Sequence, residues 1–354
     1  MDFNIEKEKQ KYLNLLKINP NDIDSLFYLT ETFDFDDVQQ VMVLPSGESV
    51  TKEQLLLKVI CMNPNYGYAY HSLAAPLSIG QTITLKNGKS MTKHQLYLKT
   101  IECDPNYYPP YFNIAIGLAR DESIKLNNGS SMTQQQLYLK TIELNPTHPD
   151  PYFNLSQTLS RHESIILNNG QKMTKQQLIL KSIELDPDFP PGYSQLGTTL
   201  SEGQTVKLYN GKTMDCFQLF LKALSLDPSH YDTLVNLSFR LTLQCKSDSS
   251  VTMPSGELMT KKQLYLKAIQ VDPDRYEAYY FLALDMKPNE TVTLYNNKKK
   301  TKQQLLLEAI RVDEEETSIY KDIGLTLLKN KQAITLPNGE QLSRRQLLRK
   351  ARYA

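Results

Sequence analysis

Histidine, cysteine and paired carboxylates build most chemical sites, and in this 354-residue chain they are scattered. His71, His94, His148, His162 and His230 share no interval that would gather them, and none falls in an HExxH or Cys/His metal spacing. Cys61, Cys103, Cys216 and Cys245 form no CxxC pair, which argues against a zinc knuckle or a disulfide framework and predicts reduced thiols in apolar settings. There is no glycine-rich phosphate loop and no GxSxG elbow, and the carboxylates recur as repeat-end aspartates and surface charges rather than as a general acid/base couple. These residues imply no metal, no cofactor and no catalysis. What is left to do chemistry is a surface, and its shape depends on the elements that carry it.

Those elements repeat. The phrase Met132-Thr133-Gln-Gln-Gln136-Leu137-Tyr138-Leu139-Lys140-Thr-Ile142-Glu143-Leu144-Asn145-Pro146 recurs along the chain, and its glutamine falls at Gln10, Gln54, Gln95, Gln136, Gln177, Gln218, Gln263, Gln304 and Gln346. From Gln54 to Gln218 the spacing is a constant 41 residues. A period of about 20 to 50 residues is the mark of stacked supersecondary units. The expected organisation is one repeat domain over 1–354: an N-terminal capping helix at 5–19, then units over about 20–63, 64–104, 105–145, 146–186, 187–227, 228–272, 273–313 and 314–354. The last helix is truncated.

Each unit has three parts. After Pro105, the residues Tyr111, Ile114, Ala115 and Leu118 recur at helical spacing, with Pro109 and Pro110 at the expected first turn. Small residues at Ala74, Ala115, Gly197, Ala283 and Gly324 let another helix approach closely. The opening phrase is a second helix, with Leu137, Ile142 and Leu144 on one face and Gln136, Lys140 and Glu143 on the other. Thr51, Thr92, Thr133, Thr174, Thr260, Thr301 and Ser343 stand where a hydroxyl caps its first turn, and Asp-Pro or Asn-Pro ends it.

With Tyr193-x-x-Leu196-Gly197-x-x-Leu200 in the first helix, and Phe220, Ala223 and Leu226-Asp227-Pro228 closing the second, the unit resembles the tetratricopeptide repeat. The resemblance runs from Gln10 to about Lys329. It implies a mainly α fold, a tetratricopeptide-like α-solenoid of about eight helix/β-hairpin/helix repeats with hairpins along one edge, and a role in protein interaction rather than any one activity.

The departure is length, 41 residues against the family's 34 or so. The surplus lies between the helices, where Ser123-Ile124-Lys125-Leu126-Asn127-Asn128-Gly129-Ser130-Ser131-Met132 reads as strand, turn and strand. A three-residue loop with a type I turn and Gly129 in the left-handed region keeps Ile124 and Met132 on one face. Proline at Pro45, Pro254 and Pro337 favours that loop, because proline suits the first central position of a type I turn and not a positive φ. Apolar triplets such as Ile83, Leu85 and Met91 then need a surface to cover them, with Lys300 the exception. Adjacent hairpins are expected side by side along one edge of the array, and strand spacing leaves open whether they also hydrogen-bond into one ribbon.

In the family resembled, first helices line a groove that receives an extended peptide or a partner helix. Carried onto this sequence, that groove presents Phe27, His71, Phe112, Phe153, Ser194, Val235 and Tyr280, with the carboxamides Asn113, Asn154, Gln195 and Asn236 one position over. A carboxamide row offers donor and acceptor to the main chain of an extended segment. The alternative is that these carboxamides only tie neighbouring helices together.

The Lys and Asn set that grips a terminal carboxylate in chaperone-binding members is absent, since Phe112, Ile116, Phe153 and Gln157 stand there. A net charge of +1 gives no global field for nucleic acid, and no stretch of 18 apolar residues is present to cross a membrane. The charged N-terminus, Met1-Asp2-Phe3-Asn4-Ile5-Glu6-Lys7, lacks a secretion signal, so a cytoplasmic location is expected. The expected partner is a protein or peptide. Single-stranded RNA binding and self-association through the hairpin edge are the rival readings.

Overall fold

The structure is a computed structural model that describes residues 3–33, 40–243, 250–287, 289–327 and 333–351. Two compact units divide the chain, Met1–Leu178 and Ile179–Ala354. After an opening helix, Phe3–Ile18, the first unit holds first helices Ile23–Thr30, Gly67–Ala74, Pro109–Gly117 and Pro149–Gln157. Those of the second unit are Pro190–Thr199, Tyr231–Leu243, Tyr276–Asp285 and Thr317–Thr326. Second helices run Lys52–Met62, Lys93–Cys103, Gln134–Leu144, Lys175–Leu185, Cys216–Leu226, Lys261–Val271, Lys302–Val312 and Arg344–Lys350. Between the helices of every repeat lies a hairpin of two three-residue strands, for example Ser123–Lys125 with Ser131–Thr133. The chain is thus mainly helical and built of tetratricopeptide-like helix/hairpin/helix repeats.

Local sequence explains the boundaries. Thr133 Oγ1 accepts from Gln136 N at 3.3 Å while Gln136 Oε1 accepts from Thr133 N at 2.8 Å, a reciprocal capping box. The same pair forms at Thr51/Gln54, Thr92/Gln95, Thr174/Gln177, Thr260/Gln263, Thr301/Gln304 and Ser343/Gln346, and Asp215/Gln218 fills the remaining place. The repeated glutamine is therefore a cap, not merely part of a polar face. The repeat-end Asn or Asp closes the other end: Asp104 Oδ1 accepts from Asn106 N at 3.0 Å, and Asp186 Oδ1 from Asp188 N at 3.1 Å.

The buried face of the second helix is wider than its apolar pattern. Leu137, Tyr138, Thr141 and Ile142 are buried, whereas Leu144 is half-buried. Close approach of the helices is sharpest at Gly197, where an added Cβ would sit 2.7 Å from Cε1 of the buried Phe220. The tyrosines of the first helix also tie the turn before it, since Tyr70, Tyr111, Tyr152 and Tyr193 each donate a hydroxyl hydrogen bond to the carbonyl of the repeat-end proline.

The hairpin loops have the expected three-residue form. Ile124 faces Met132, Gly129 N donates to Leu126 O at 3.0 Å, and Gly129 has φ +90°. Asn297 takes the left-handed position with φ 61°. Apolar triplets such as Met42, Leu44, Val50 and Ile83, Leu85, Met91 are buried. Lys300, in place of an apolar residue, donates to Glu308 at 2.7 Å, and Glu308 also accepts from Arg311 at 2.9 Å. Burial alone would raise the Glu308 carboxyl, but these two bonds outweigh it and hold it below its usual range.

The ribbon is not formed. Among the described residues the hairpins make eight separate two-stranded sheets. Their contacts are made by turns and faces rather than strand edges: Asn127 donates to Glu102 of the preceding second helix at 2.6 Å, and Asn338 to Glu314 at 3.0 Å. With the apolar face already covered by helices and only three residues per strand, nothing drives edge-to-edge pairing. Cys61 is exposed rather than buried; Cys103 is half-buried and Cys216 buried. The acidic residues Asp34, Asp36 and Asp37, most of the insertion 244–250, and Arg352 lie outside the described residues.

Candidate functional site

In the first unit a chain of ring contacts links one repeat to the next. Tyr12 stacks on Tyr28 at 5.6 Å, Tyr28 meets Phe27 at 5.6 Å, and Phe27 reaches Tyr66 at 5.1 Å and Tyr68 at 6.2 Å. Tyr68 packs edge-on against Tyr107 at 4.7 Å, Tyr107 meets Tyr108 at 6.5 Å, and Tyr108 meets His148 at 5.5 Å. His148 then touches Phe112 at 5.2 Å, and Phe112 rests on the buried Tyr138 at 6.1 Å. Tyr28 and Tyr68 are 47% and 43% exposed, and Tyr12, Tyr66, Tyr107, Tyr108, Phe112 and His148 are half-buried. Such rings present large, stiff, amphipathic area to a ligand.

The polar groups of this row are partly committed. Tyr66 donates to Asp24 at 2.9 Å, and burial together with that carboxylate raises its hydroxyl pKa. Burial raises Tyr107 to about 12. His71, half-buried beside Tyr97 and Tyr107, accepts at Nε2 from the Asn113 amide at 3.1 Å, and burial lowers its pKa to about 4. His148 Nδ1 is buried without a hydrogen-bond partner.

The carboxamides divide. Asn113 spans repeats to reach His71, and in the second unit Asn236 Nδ2 lies 3.5 Å from Ser194 Oγ. Both links join a first helix to its predecessor, as the tie reading requires. Asn154 and Gln195 are half-buried and, among the described residues, their carboxamides make no such bond. Phe112 joins the aromatic row, Phe153 is half-buried, and Tyr280 donates to Asp322 at 2.8 Å with its ring 5.4 Å from Phe281. Phe27, Ser194 and Val235 are buried, so that set does not line a surface as a whole. The second unit exposes a different row, Phe239, Leu284 and Leu325, at one position of three successive first helices, with Phe281 5.5 Å from Phe239.

Most of the aromatic row was missed from the sequence, yet a signal was there. An aromatic or imidazole recurs two residues after the repeat-end proline, at Tyr66, Tyr107, His148, Phe189 and His230. That register places a ring at the entry to five first helices, from Gly67–Ala74 to Tyr231–Leu243. Among the described residues no three His, Cys, Asp or Glu side chains gather as a metal group, and no helix is long and apolar enough to cross a membrane.

A tetratricopeptide repeat model matches residues 137–177, one repeat of the array. No curated protein matches the sequence. Among solved structures the chain is similar to YrrB, described as a tetratricopeptide protein with an unusual peptide-binding site, at 13% identity and a TM-score of 0.33, over 64% of this chain and 96% of that one. It is also similar to yeast Tom70 at 15% identity and a TM-score of 0.36, over 92% of this chain; the match spans 55% of Tom70.

Proposed function

We propose that this tetratricopeptide-like array is a non-catalytic, cytoplasmic scaffold that holds an extended segment of a partner protein on the aromatic face of its first unit. The observation that carries the reading is the ring row from Tyr12 to Phe112, a run of exposed and half-buried rings joined between Tyr28 and Tyr68 by the buried Phe27. Rings at such a surface bind with little loss of side-chain freedom and dominate interface energetics. Asn154 supplies a carboxamide for the main chain of the segment, while Asn113 and Asn236 serve mainly as ties between helices. A single-stranded RNA ligand is disfavoured because the carboxylates of Asp24 and Asp150 stand beside the rings and would repel phosphate.

The test is cross-linking of the full chain in cell extract, with the cross-linked peptides mapped by mass spectrometry. Partner cross-links are expected near residues 66–68, 107–112 and 148–154, and Tyr68→Ala with Tyr107→Ala should abolish them while leaving the helical circular dichroism unchanged. Cross-links that map elsewhere and survive the double substitution would end the proposal.

A further inference from the structure

The near-zero net charge conceals a segregation of charge within the first unit. The first helices and the turns that lead into and out of them, residues 19–33, 63–80, 104–122 and 145–163, hold eight acidic side chains and two basic ones. The hairpins and second helices, residues 40–62, 81–103, 123–144 and 164–178, hold ten basic side chains and four acidic. Arg120, one of the two cations of the acidic set, lies 3.9 Å from Glu163.

From Tyr28 to Phe112 the aromatic row belongs to the acidic set. Asp24 accepts from Tyr66 at 2.9 Å, and Asp150 stands 4.0 Å from His148. The row also carries a cation of its own at one end, where Lys11 Nζ lies 4.7 Å over the Tyr12 ring. A ring face draws a cation through its quadrupole, and neighbouring carboxylates add to the attraction.

We infer that the occupant of the aromatic face is a basic segment, an extended peptide whose Lys or Arg side chains lie across Tyr28, Tyr68 and Tyr107, with Asp24 and Asp150 along the same row. This rests on the proposed peptide-binding role of the same face and adds the charge of the partner. Arginine suits the rings better than lysine, because its planar guanidinium stacks and is less strongly hydrated. The arrangement is the reverse of a lysine-lined groove for acidic tails.

A random dodecapeptide library selected on the immobilised full chain separates the two ideas, with parallel selections on Tyr68→Ala/Tyr107→Ala and on Asp24→Asn/Asp150→Asn. The expected result is enrichment of Arg and Lys over Asp and Glu, with at least tenfold weaker binding of the selected peptides to the ring variant. Binding to the charge variant should weaken several-fold and lose part of its salt dependence. Selected peptides that are neutral or acidic, yet lost on the ring variant, would overturn the charge inference and leave the peptide-binding role standing. No enrichment over an unrelated protein, or enrichment untouched by the ring variant, would overturn both.

Discussion

Acidification should weaken the first unit through His71, and the size of the effect follows from its surroundings. The imidazole is half-buried against Tyr97 and Tyr107 and accepts at Nε2 from Asn113, an arrangement that only the neutral ring can keep. Burial lowers its pKa to about 4 from the ordinary 6.5. The unfolded chain therefore binds a proton between these values that the folded chain refuses, so this contribution to stability is complete above pH 6.5 and is lost as pH falls toward 4. The full difference corresponds to at most roughly 3 kcal/mol, of which about 2 kcal/mol is lost by pH 5. His71→Gln keeps a side chain able to accept from Asn113 but cannot titrate. Urea unfolding followed by circular dichroism at pH 5 and pH 8 should show a larger loss for the parent than for His71→Gln, and hydrogen exchange should place the difference at residues 67–74. Parallel pH dependence in the two proteins would refute the assignment.

Other substitutions test the fold and the surface. Gly197→Ala removes a helix-weakening glycine but sets a Cβ 2.7 Å from Phe220, so a net loss of about 1–2 kcal/mol is expected in urea unfolding, largely recovered by adding Phe220→Leu. Gln136→Ala breaks one arm of a capping box and should cost about 0.5–1 kcal/mol, with faster exchange of the amides at the start of that helix. Asn113→Ala, Asn154→Ala and Asn236→Ala together should lower stability by about 1–3 kcal/mol through the two lost ties. In that triple variant, full retention of both partner cross-linking and stability would remove every role given to the carboxamides. Lys300→Met restores an apolar triplet but strips Glu308 of one of its two cations, so the Glu308 carboxyl should titrate at higher pH in carbon-detected NMR.

The repeated phrase made the architecture readable because one amphipathic unit, copied at a fixed interval, has to cover its apolar face with the next copy. Proline at Pro45, Pro254 and Pro337 was enough to choose the hairpin loop, since the ring forbids the alternative φ. Reading stopped short where the partner is a backbone group or a residue of another segment. Gln136 looked like polar surface because its partner is the backbone amide of Thr133, and pairing between hairpins stayed open because strand spacing says nothing about what already covers a strand's face. The carboxamides were found but not resolved, as the same Asn113 could face a ligand or His71 of the preceding repeat.

From the sequence alone come the count and order of the parts, their threonine caps and their turns, all fixed by interactions within a few residues. The aromatic row, the buried state of Phe27, Ser194 and Val235, and the ties from Asn113 and Asn236 were decided only in three dimensions. They join residues about forty positions apart, and whether such side chains meet depends on how one repeat leans on the next, a quantity that no local pattern encodes.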